Sequence, residues 1–297
     1  MDLDPPPLAA PAGGRHARRA AVLGMPVSHS RSPDLHLAAY RALGLADWDY
    51  ARIECDAARL PDVVAGAGAD HVGFSVTMPG KLAALAVADT RTDRAVLVGS
   101  ANTLVRTADG WRADCTDIDG MTGALGELGL TQSAGAGHSG VGRSGAAAVL
   151  LGAGGTALPS VAAVAAAGFG ALTVVARDEG RAAEVLRLAA RLGLIVDFLP
   201  FVPGRAVSAA AAAAAVVIST VPAAAAAPLC ESVAGAGALV DVIYDPWPTP
   251  LALAVAAAGG RVVGGLVMLL NQAYSQVEQF TGLRAPRAEM ASALTIH

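Results

Sequence analysis

The sequence is poor in lysine. Among 21 basic side chains in 297 residues, Lys81 is the single lysine and the rest are arginines. Composition therefore supplies arginine wherever plain positive charge is wanted. Arginine keeps its proton at any working pH, whereas a lysine ammonium can release one and take it back. General acid–base chemistry at an alcohol or ketone oxygen needs that exchange. The plain alternative makes Lys81 a solvated residue near a helix start.

Other scarcities exclude whole classes. The three cysteines, Cys55, Cys115 and Cys230, are far apart and form no CxxC or His/Cys cluster. A disulfide framework and a zinc site are therefore not indicated, and a reducing cytoplasm is the expected location. Charged residues make up 15% of the chain with a net charge of −4, and no basic stripe gathers anywhere. That balance argues against nucleic acid as a partner. The hydrophobic share of 54% comes largely from alanine, and every apolar run is broken by Gly or polar residues before 18 positions. Nothing reads as a membrane span. The first 19 residues, with Pro5–Pro7, Gly13, Gly14 and an arginine cluster, read as a flexible leader. The apolar run after them is too short for a signal peptide. A chain of this length predicts two domains.

What is present reads as α/β. Residues 19–24 form an apolar run ending at glycine, a first strand. In the PVSHSRSPDLHLAAYRALG segment after it, Ser32 precedes Pro33 as a helix cap would, and Leu35, Ala38, Ala39 and Ala42 share one helical face. Strands are predicted at 48–54 and 71–77 with a helix between them, a spacing that implies parallel pairing. Ser28, Ser30 and Ser32 follow one strand end; Thr77 and Lys81 follow another. Ligands of open parallel sheets bind beyond such carboxyl ends. Asp109-Gly110 marks a hairpin turn, and Asp117 and Asp119 stand near a predicted helix start, where carboxylates are favoured whatever their function.

Residues 132–145 are rich in Gly and Ser and read as a flexible loop. Next comes an apolar strand at 146–151, then Gly152-Ala-Gly154-Gly155-Thr156-Ala157, then a helical run. This is the G-x-G-x-x-G/A pattern in its strand–turn–helix setting, where glycines let backbone amides approach a pyrophosphate. The following strand ends in Ala176-Arg177-Asp178, with Arg181 a turn later. Two arginines suit the 2′-phosphate of NADP, while Asp178 keeps NAD open. Further strands are predicted at 216–219, 239–244 and 262–263. Helices at 265–282 and 286–294 close the chain. The domains are expected as leader 1–19, a mostly parallel α/β substrate domain 20–118, a Rossmann-type domain 119–264, and C-terminal helices 265–297 returning to the first domain.

Several segments in order resemble the shikimate dehydrogenase family: Ser-His-Ser-Arg-Ser-Pro at 28–33, Ser-Val-Thr-Met-Pro-Gly-Lys at 75–81, Ser-Ala-Asn-Thr-Leu-Val at 100–105, Thr116-Asp117, Gly-Ala-Gly-Gly at 152–155, Tyr-Asp-Pro-Trp-Pro-Thr-Pro-Leu at 244–251 and Gly-Leu-Val-Met-Leu-Leu-Asn-Gln-Ala at 265–273. The resemblance runs from about residue 20 to 294. It implies NADP-linked reduction of 3-dehydroshikimate to shikimate in aromatic amino acid synthesis. It also implies a small-molecule substrate, no metal, no membrane and a monomer or homodimer.

By the same resemblance Ser30 and Ser32 hold the substrate carboxylate. Thr77, Asn102 and Gln272 bind its hydroxyls, and Tyr244 lines the site. Lys81 and Asp117 form the catalytic pair, while Gly152, Gly154, Gly155, Thr156, Ala157, Arg177, Arg181 and Gly265 serve NADP. An ammonium both donates a proton and stabilises a developing alkoxide, and a carboxylate beside it would titrate with it as one unit. The sequence departs from the family pattern at Ser75, Gly80, Cys115 and Ala176. Rival readings are an NAD-linked quinate/shikimate dehydrogenase and a catalytically silent ligand-binding relative. A binding-only protein has no use for a titratable lysine, and a folate-type Rossmann dehydrogenase would not carry the serine motif with Thr249-Pro250 and Gln272.

Overall fold

The computed structural model describes residues 17–131 and 145–294. Most of the leader and all but the last residue of the 132–145 segment thus lie outside the described residues. The chain folds as two compact units, one running up to Thr116 and resuming at Ala273, the other Asp117–Gln272.

Unit 1 opens with β1 (Arg18–Gly24), so Arg18 and Arg19 are strand residues rather than part of a leader. It continues through α1 (Ser32–Ala42), β2 (Trp48–Glu54), α2 (Leu60–Ala65), β3 (His71–Val76), α3 (Lys81–Val87), β4 (Thr90–Arg91), α4 (Asp93–Val98), β5 (Thr103–Thr107) and β6 (Gly110–Asp114). The sheet order is β2-β1-β3-β5-β6-β4. β1 runs parallel to β2 and β3, whereas β5 is antiparallel to both β3 and β6. Successive β1 residues face opposite sides of the sheet. Leu23 joins Leu60, Phe74, Leu104 and Trp111 on one side, and Val22 joins Tyr40, Tyr50 and Phe280 on the other. Burial of each such side chain contributes roughly 1.5–3 kcal/mol.

Helix α1 corrects two expectations. Its N-cap position is Arg31, with no side-chain cap bond, so the Ser32 hydroxyl is not used up as a cap. The buried face carries Ser32, Leu35, His36, Ala39 and Tyr40, while Ala42 is exposed. The reason is packing area. His36 stacks on Tyr50 with ring centroids 4.0 Å apart, and Tyr40 meets Trp48 edge-on at 5.2 Å. Those rings bury far more surface than an alanine stripe, so they set the helix rotation.

Unit 2 begins with α5 (Asp117–Glu127) and then alternates β7 (Ala147–Leu151), α6 (Ala157–Ala166), β8 (Ala171–Ala176), α7 (Glu179–Arg191), β9 (Ile195–Pro200), α8 (Arg205–Ala213) and β10 (Val216–Ser219). Two short helices, α9 (Ala223–Ala226) and α10 (Cys230–Val233), flank a 3-10 turn. β11 (Ala238–Asp241), α11 (Pro250–Ala257) and β12 (Arg261–Val263) follow. All six strands are parallel in the order β12-β11-β10-β7-β8-β9. Its inner strands β10 (Val216–Ser219) and β11 (Ala238–Asp241) are buried throughout, as expected of parallel strands covered on both faces. The order reverses at β7, the switch point where such sheets take ligands. β11 stops at Asp241, short of the expected 244. There the Asp241 carboxylate accepts the Ile243 N–H at 3.2 Å and the Thr249 hydroxyl at 2.7 Å, which turns the chain out of the sheet.

The chain closes with α12 (Gly265–Thr281) and α13 (Arg287–Ala293). The division between units falls inside α12, at Gln272/Ala273.

Candidate active site

In unit 1 the hydroxyl-bearing turns meet at one edge of the sheet. β1 and β3 are parallel neighbours, so their carboxyl ends emerge side by side. The Thr77 N–H donates to the Leu23 carbonyl at 2.9 Å and the Met25 N–H to the Met78 carbonyl at 3.0 Å. This ties the Ser28–Ser32 turn to the Thr77–Lys81 turn. Asn102 joins them from the start of β5: its carbonyl accepts the Val76 N–H at 2.7 Å. Ser30, Ser32 and Asn102 are buried, Thr77 and Lys81 half-buried. Lys81 is the first residue of α3, and its carbonyl accepts the Ala101 N–H at 3.1 Å. The structure thus gathers five of the expected site residues on unit 1.

Each is held by backbone or buried partners. The Arg52 guanidinium donates to the Ser30 carbonyl at 2.9 Å from Nε. Ser30 Oγ accepts the Ser32 N–H at 3.3 Å, leaving its own proton for a ligand. The Asn102 Oδ1 accepts the Thr116 N–H at 2.7 Å and the Thr103 hydroxyl at 3.0 Å. The side of the amide that faces these two donors is therefore its oxygen.

Asn102 also anchors the residue ahead of Asp117. Cys115, which departs from the family pattern, is fully buried and donates its N–H to Asp114 at 2.8 Å. The run into Asp117 is thereby tied through its backbone to Asp114 and Asn102. Asp114 in turn accepts from Thr92 at 2.7 Å, Gln279 at 2.7 Å and Arg94. Burial pushes its carboxyl up, yet the bond and charge of Arg94, with Thr92 and Gln279, outweigh burial and hold it at about 2.

Asp117, the expected partner of Lys81, opens unit 2 as the buried first residue of α5. Within that unit α5 lies against α12. A Cβ on Gly120 would fall 2.7 Å from the Met268 carbonyl and 3.3 Å from the Gln272 Cβ, so Gln272 sits one turn from Asp117 along α5. Tyr244 is half-buried on the segment after β11. Gly265 packs against that segment: a Cβ there would stand 2.1 Å from the Val242 carbonyl, and its N–H donates to Ile243 at 3.2 Å. Close packing alone requires glycine at 265.

The glycine turn fits a pyrophosphate. Gly152 leaves β7 at φ +99, a conformation that favours glycine. Gly154 and Gly155 are exposed, and a Cβ on either would enter open space. α6 starts behind them with no side-chain cap at Thr156; the Ala157 N–H donates to the Gly154 carbonyl at 2.9 Å, which tightens the turn ahead of the helix start where an anion is favoured. Arg177 and Arg181 are exposed at the end of β8. Asp178 is already engaged: its carboxylate accepts the Arg181 N–H at 2.8 Å and caps α7. Among the described residues, no group of three or more His, Cys, Asp or Glu is placed to hold a metal.

Sequence reasoning missed a buried polar cluster behind the unit 1 site: His36, Tyr50, Ser75 and Gln276. Gln276 Oε1 receives the Ser75 hydroxyl at 2.9 Å and faces His36 Nε2 at 3.3 Å. The Tyr50 hydroxyl meets Ser75 Oγ at 2.7 Å. Burial drives His36 down to about 3, only partly countered by Gln276, so the imidazole is neutral. The available signal was Ser75 itself, a departure from the family pattern that needs a buried partner.

A doubly wound parallel sheet with a glycine turn at its switch point, carried with a second α/β unit that gathers hydroxyls, an amide and a lysine, defines a two-domain oxidoreductase fold of the dinucleotide-binding class. Residues 22–104 match the family described as "Shikimate dehydrogenase substrate binding domain", and residues 265–295 match "Shikimate 5'-dehydrogenase C-terminal domain". The shikimate dehydrogenase (NADP(+)) of Anaeromyxobacter sp. strain Fw109-5 is 39% identical, covering 92% of this chain and 94% of that protein. That of Methylobacterium radiotolerans is 36% identical over 90% and 92%. Among solved structures, the shikimate dehydrogenase of Mycobacterium tuberculosis is 55% identical with a TM-score of 0.86, covering 94% of this chain and all of that one. The Thermus thermophilus enzyme, in complex with NADP(H) and shikimate, is 29% identical with a TM-score of 0.75, over 93% and 98%. The chain belongs to the shikimate dehydrogenase family.

Proposed function

We propose that this chain catalyses the reversible NADP-dependent interconversion of shikimate and 3-dehydroshikimate, a step towards the aromatic amino acids. The observation that carries the reading is the gathering of Ser30, Ser32, Thr77, Lys81 and Asn102 at one sheet edge, in a chain matched along 92% of its length by an enzyme of that name. Ser30 and Ser32 bind the carboxylate, with the Arg52 guanidinium adding positive charge beside Ser30. Thr77, Asn102 and Gln272 bind the hydroxyls. Tyr244 lines the site near the carboxylate.

NADPH, when bound, supplies the hydride to the ketone carbon. Gly152, Gly154, Gly155, Thr156 and Ala157 would hold its pyrophosphate, and Arg177 and Arg181 its 2′-phosphate. Lys81 donates one proton to the substrate oxygen as it becomes an alcohol, and stabilises the charge building there. In oxidation Lys81 takes that proton back. Asp117 orients the ammonium. Asp178 is committed to capping α7, which supports NADP over NAD.

The test is a cofactor-by-substrate panel on the purified protein, NADP and NAD against shikimate and quinate. NADP with shikimate should give the highest kcat/KM, and Arg177→Ala with Arg181→Ala should narrow the NADP/NAD ratio at least tenfold. Preference for NAD with quinate would overturn the assignment.

A further inference from the structure

Two arginines stand at the Ser28–Ser32 turn, and they are used differently. Arg31, within the turn, meets the Asp34 carboxylate through Nε, so its charge is compensated on the spot. Arg52 comes from β2. Tyr50 and Arg52 lie two apart on that strand and so face the same side of the sheet, the side that carries α1. Tyr50 is buried there against His36, while Arg52, nearer the strand end, reaches the start of the helix. Its Nε donates to the Ser30 carbonyl at 2.9 Å, and its Nη2 donates to the same oxygen. From the other side the Ser30 N–H donates to the Val27 carbonyl at 3.0 Å. The Ser30 backbone is thus held at both its donor and its acceptor.

One carbonyl takes up only part of a guanidinium's donors. Among the described residues Arg52 forms no ion pair with a carboxylate, and it is exposed. An unpaired surface arginine is ordinary in itself. This one is pinned by two hydrogen bonds to the residue that carries the carboxylate-binding hydroxyl, in a turn whose own cation is already compensated. We propose that Arg52 is the specificity residue of this turn: it fixes the placement of Ser30 and supplies the uncompensated positive charge that makes the turn prefer an acid over a neutral group of the same shape. Serine hydroxyls alone donate to an ester or amide oxygen much as to a carboxylate; a fixed cation favours only the anion. Lys81, the cation of the neighbouring turn, is assigned to the reacting oxygen. The inference rests on the proposed role of Ser30 toward the shikimate carboxylate, and it says where the preference for an acid arises.

Two variants separate charge from grip. Arg52→Gln removes the charge and keeps a donor for the Ser30 carbonyl, while Arg52→Lys keeps the charge. Shikimate oxidation is followed at saturating NADP, in low and in high salt. A unit charge beside a ligand at a partly exposed site contributes about tenfold in affinity, so the KM for shikimate should rise about tenfold in Arg52→Gln at low salt. Its kcat and its KM for NADP should stay within about twofold of wild type, because the charge acts on ground state and transition state alike. Arg52→Lys should keep the shikimate KM within about threefold of wild type. High salt should raise the wild-type KM by more than that of Arg52→Gln, since only the wild type has this charge to screen. A shikimate KM unchanged in Arg52→Gln, or raised equally by Gln and Lys, overturns the inference while leaving the function intact. So does a parallel rise in the KM for NADP, the mark of general damage. A wild type that does not oxidise shikimate overturns the function, and this inference with it.

Discussion

His36 gives this protein a built-in acid sensitivity whose size follows from its surroundings. The ring is fully buried, stacked on Tyr50 and against Phe280, and its two faces offer no counter-charge. Tyr40 and Tyr50 beside it are themselves pushed up by burial and stay neutral. Burial holds His36 at about 3, against an ordinary value of 6.5. Above pH 6.5 both folded and unfolded chains carry a neutral ring and nothing is lost. Below it, the unfolded chain takes up a proton that the folded chain refuses, so stability falls as pH drops from 6.5 towards 3. At pH 5 the difference amounts to about 2 kcal/mol, from 1.36 kcal/mol for each unit between pH and the unfolded value. Asp and Glu in the unfolded chain are still mostly ionised there, so they add little. The perturbation is His36→Gln, which keeps an N–H donor for Gln276 but cannot titrate. Urea unfolding at pH 7.5 and pH 5 reads the effect. Wild type should lose about 2 kcal/mol more than the variant across that interval. Equal losses would show that His36 takes up its proton in the folded state, and would refute the burial argument.

Two further outcomes follow from the site. Lys81→Arg keeps charge and fold but cannot exchange a proton, so kcat should drop by about 10²–10⁴-fold with the melting curve unchanged; near-normal turnover would remove Lys81 from the chemistry. Asp114→Asn should cost about 2 kcal/mol in urea unfolding at pH 7, the worth of a carboxyl held at about 2 instead of its ordinary 3.8. That stability is fully present above the unfolded value and is lost as pH falls through 2. The wild-type acid transition should therefore shrink in the variant, and an unchanged one would refute the assignment.

The elements that set the strand order were legible because their signals are local. Glycine at 152 and the apolar run before it announce a strand, a turn and a helix within a dozen residues, and β7 and α6 stand there. Trp48–Glu54, with its aromatic and β-branched residues, and the apolar run Val216–Ser219 are likewise short segments bounded by turn residues, and they appear with those bounds. The site turns were legible for the same reason, since a strand end places the next few residues beyond the sheet. What could not be read was the rotation of a helix and the partners of a buried polar group. α1 was read from its apolar residues, which put Ala42 inside; the packed face is set by His36 and Tyr40, residues that count as polar or intermediate until their neighbours are known. Those neighbours are distant in sequence: Ser75 and Gln276 are 201 residues apart, His36 and Gln276 are 240. Gln276 alone reads as one more polar position on an amphipathic helix. Inside the fold its nitrogen meets a carbonyl and a threonine, and its oxygen a serine and a neutral histidine, so all its bonding capacity is used. A group so fully paired when buried cannot be exchanged without re-pairing the rest. The departure at Ser75 from the family pattern is matched in this way: its hydroxyl accepts from Tyr50 and donates to this amide.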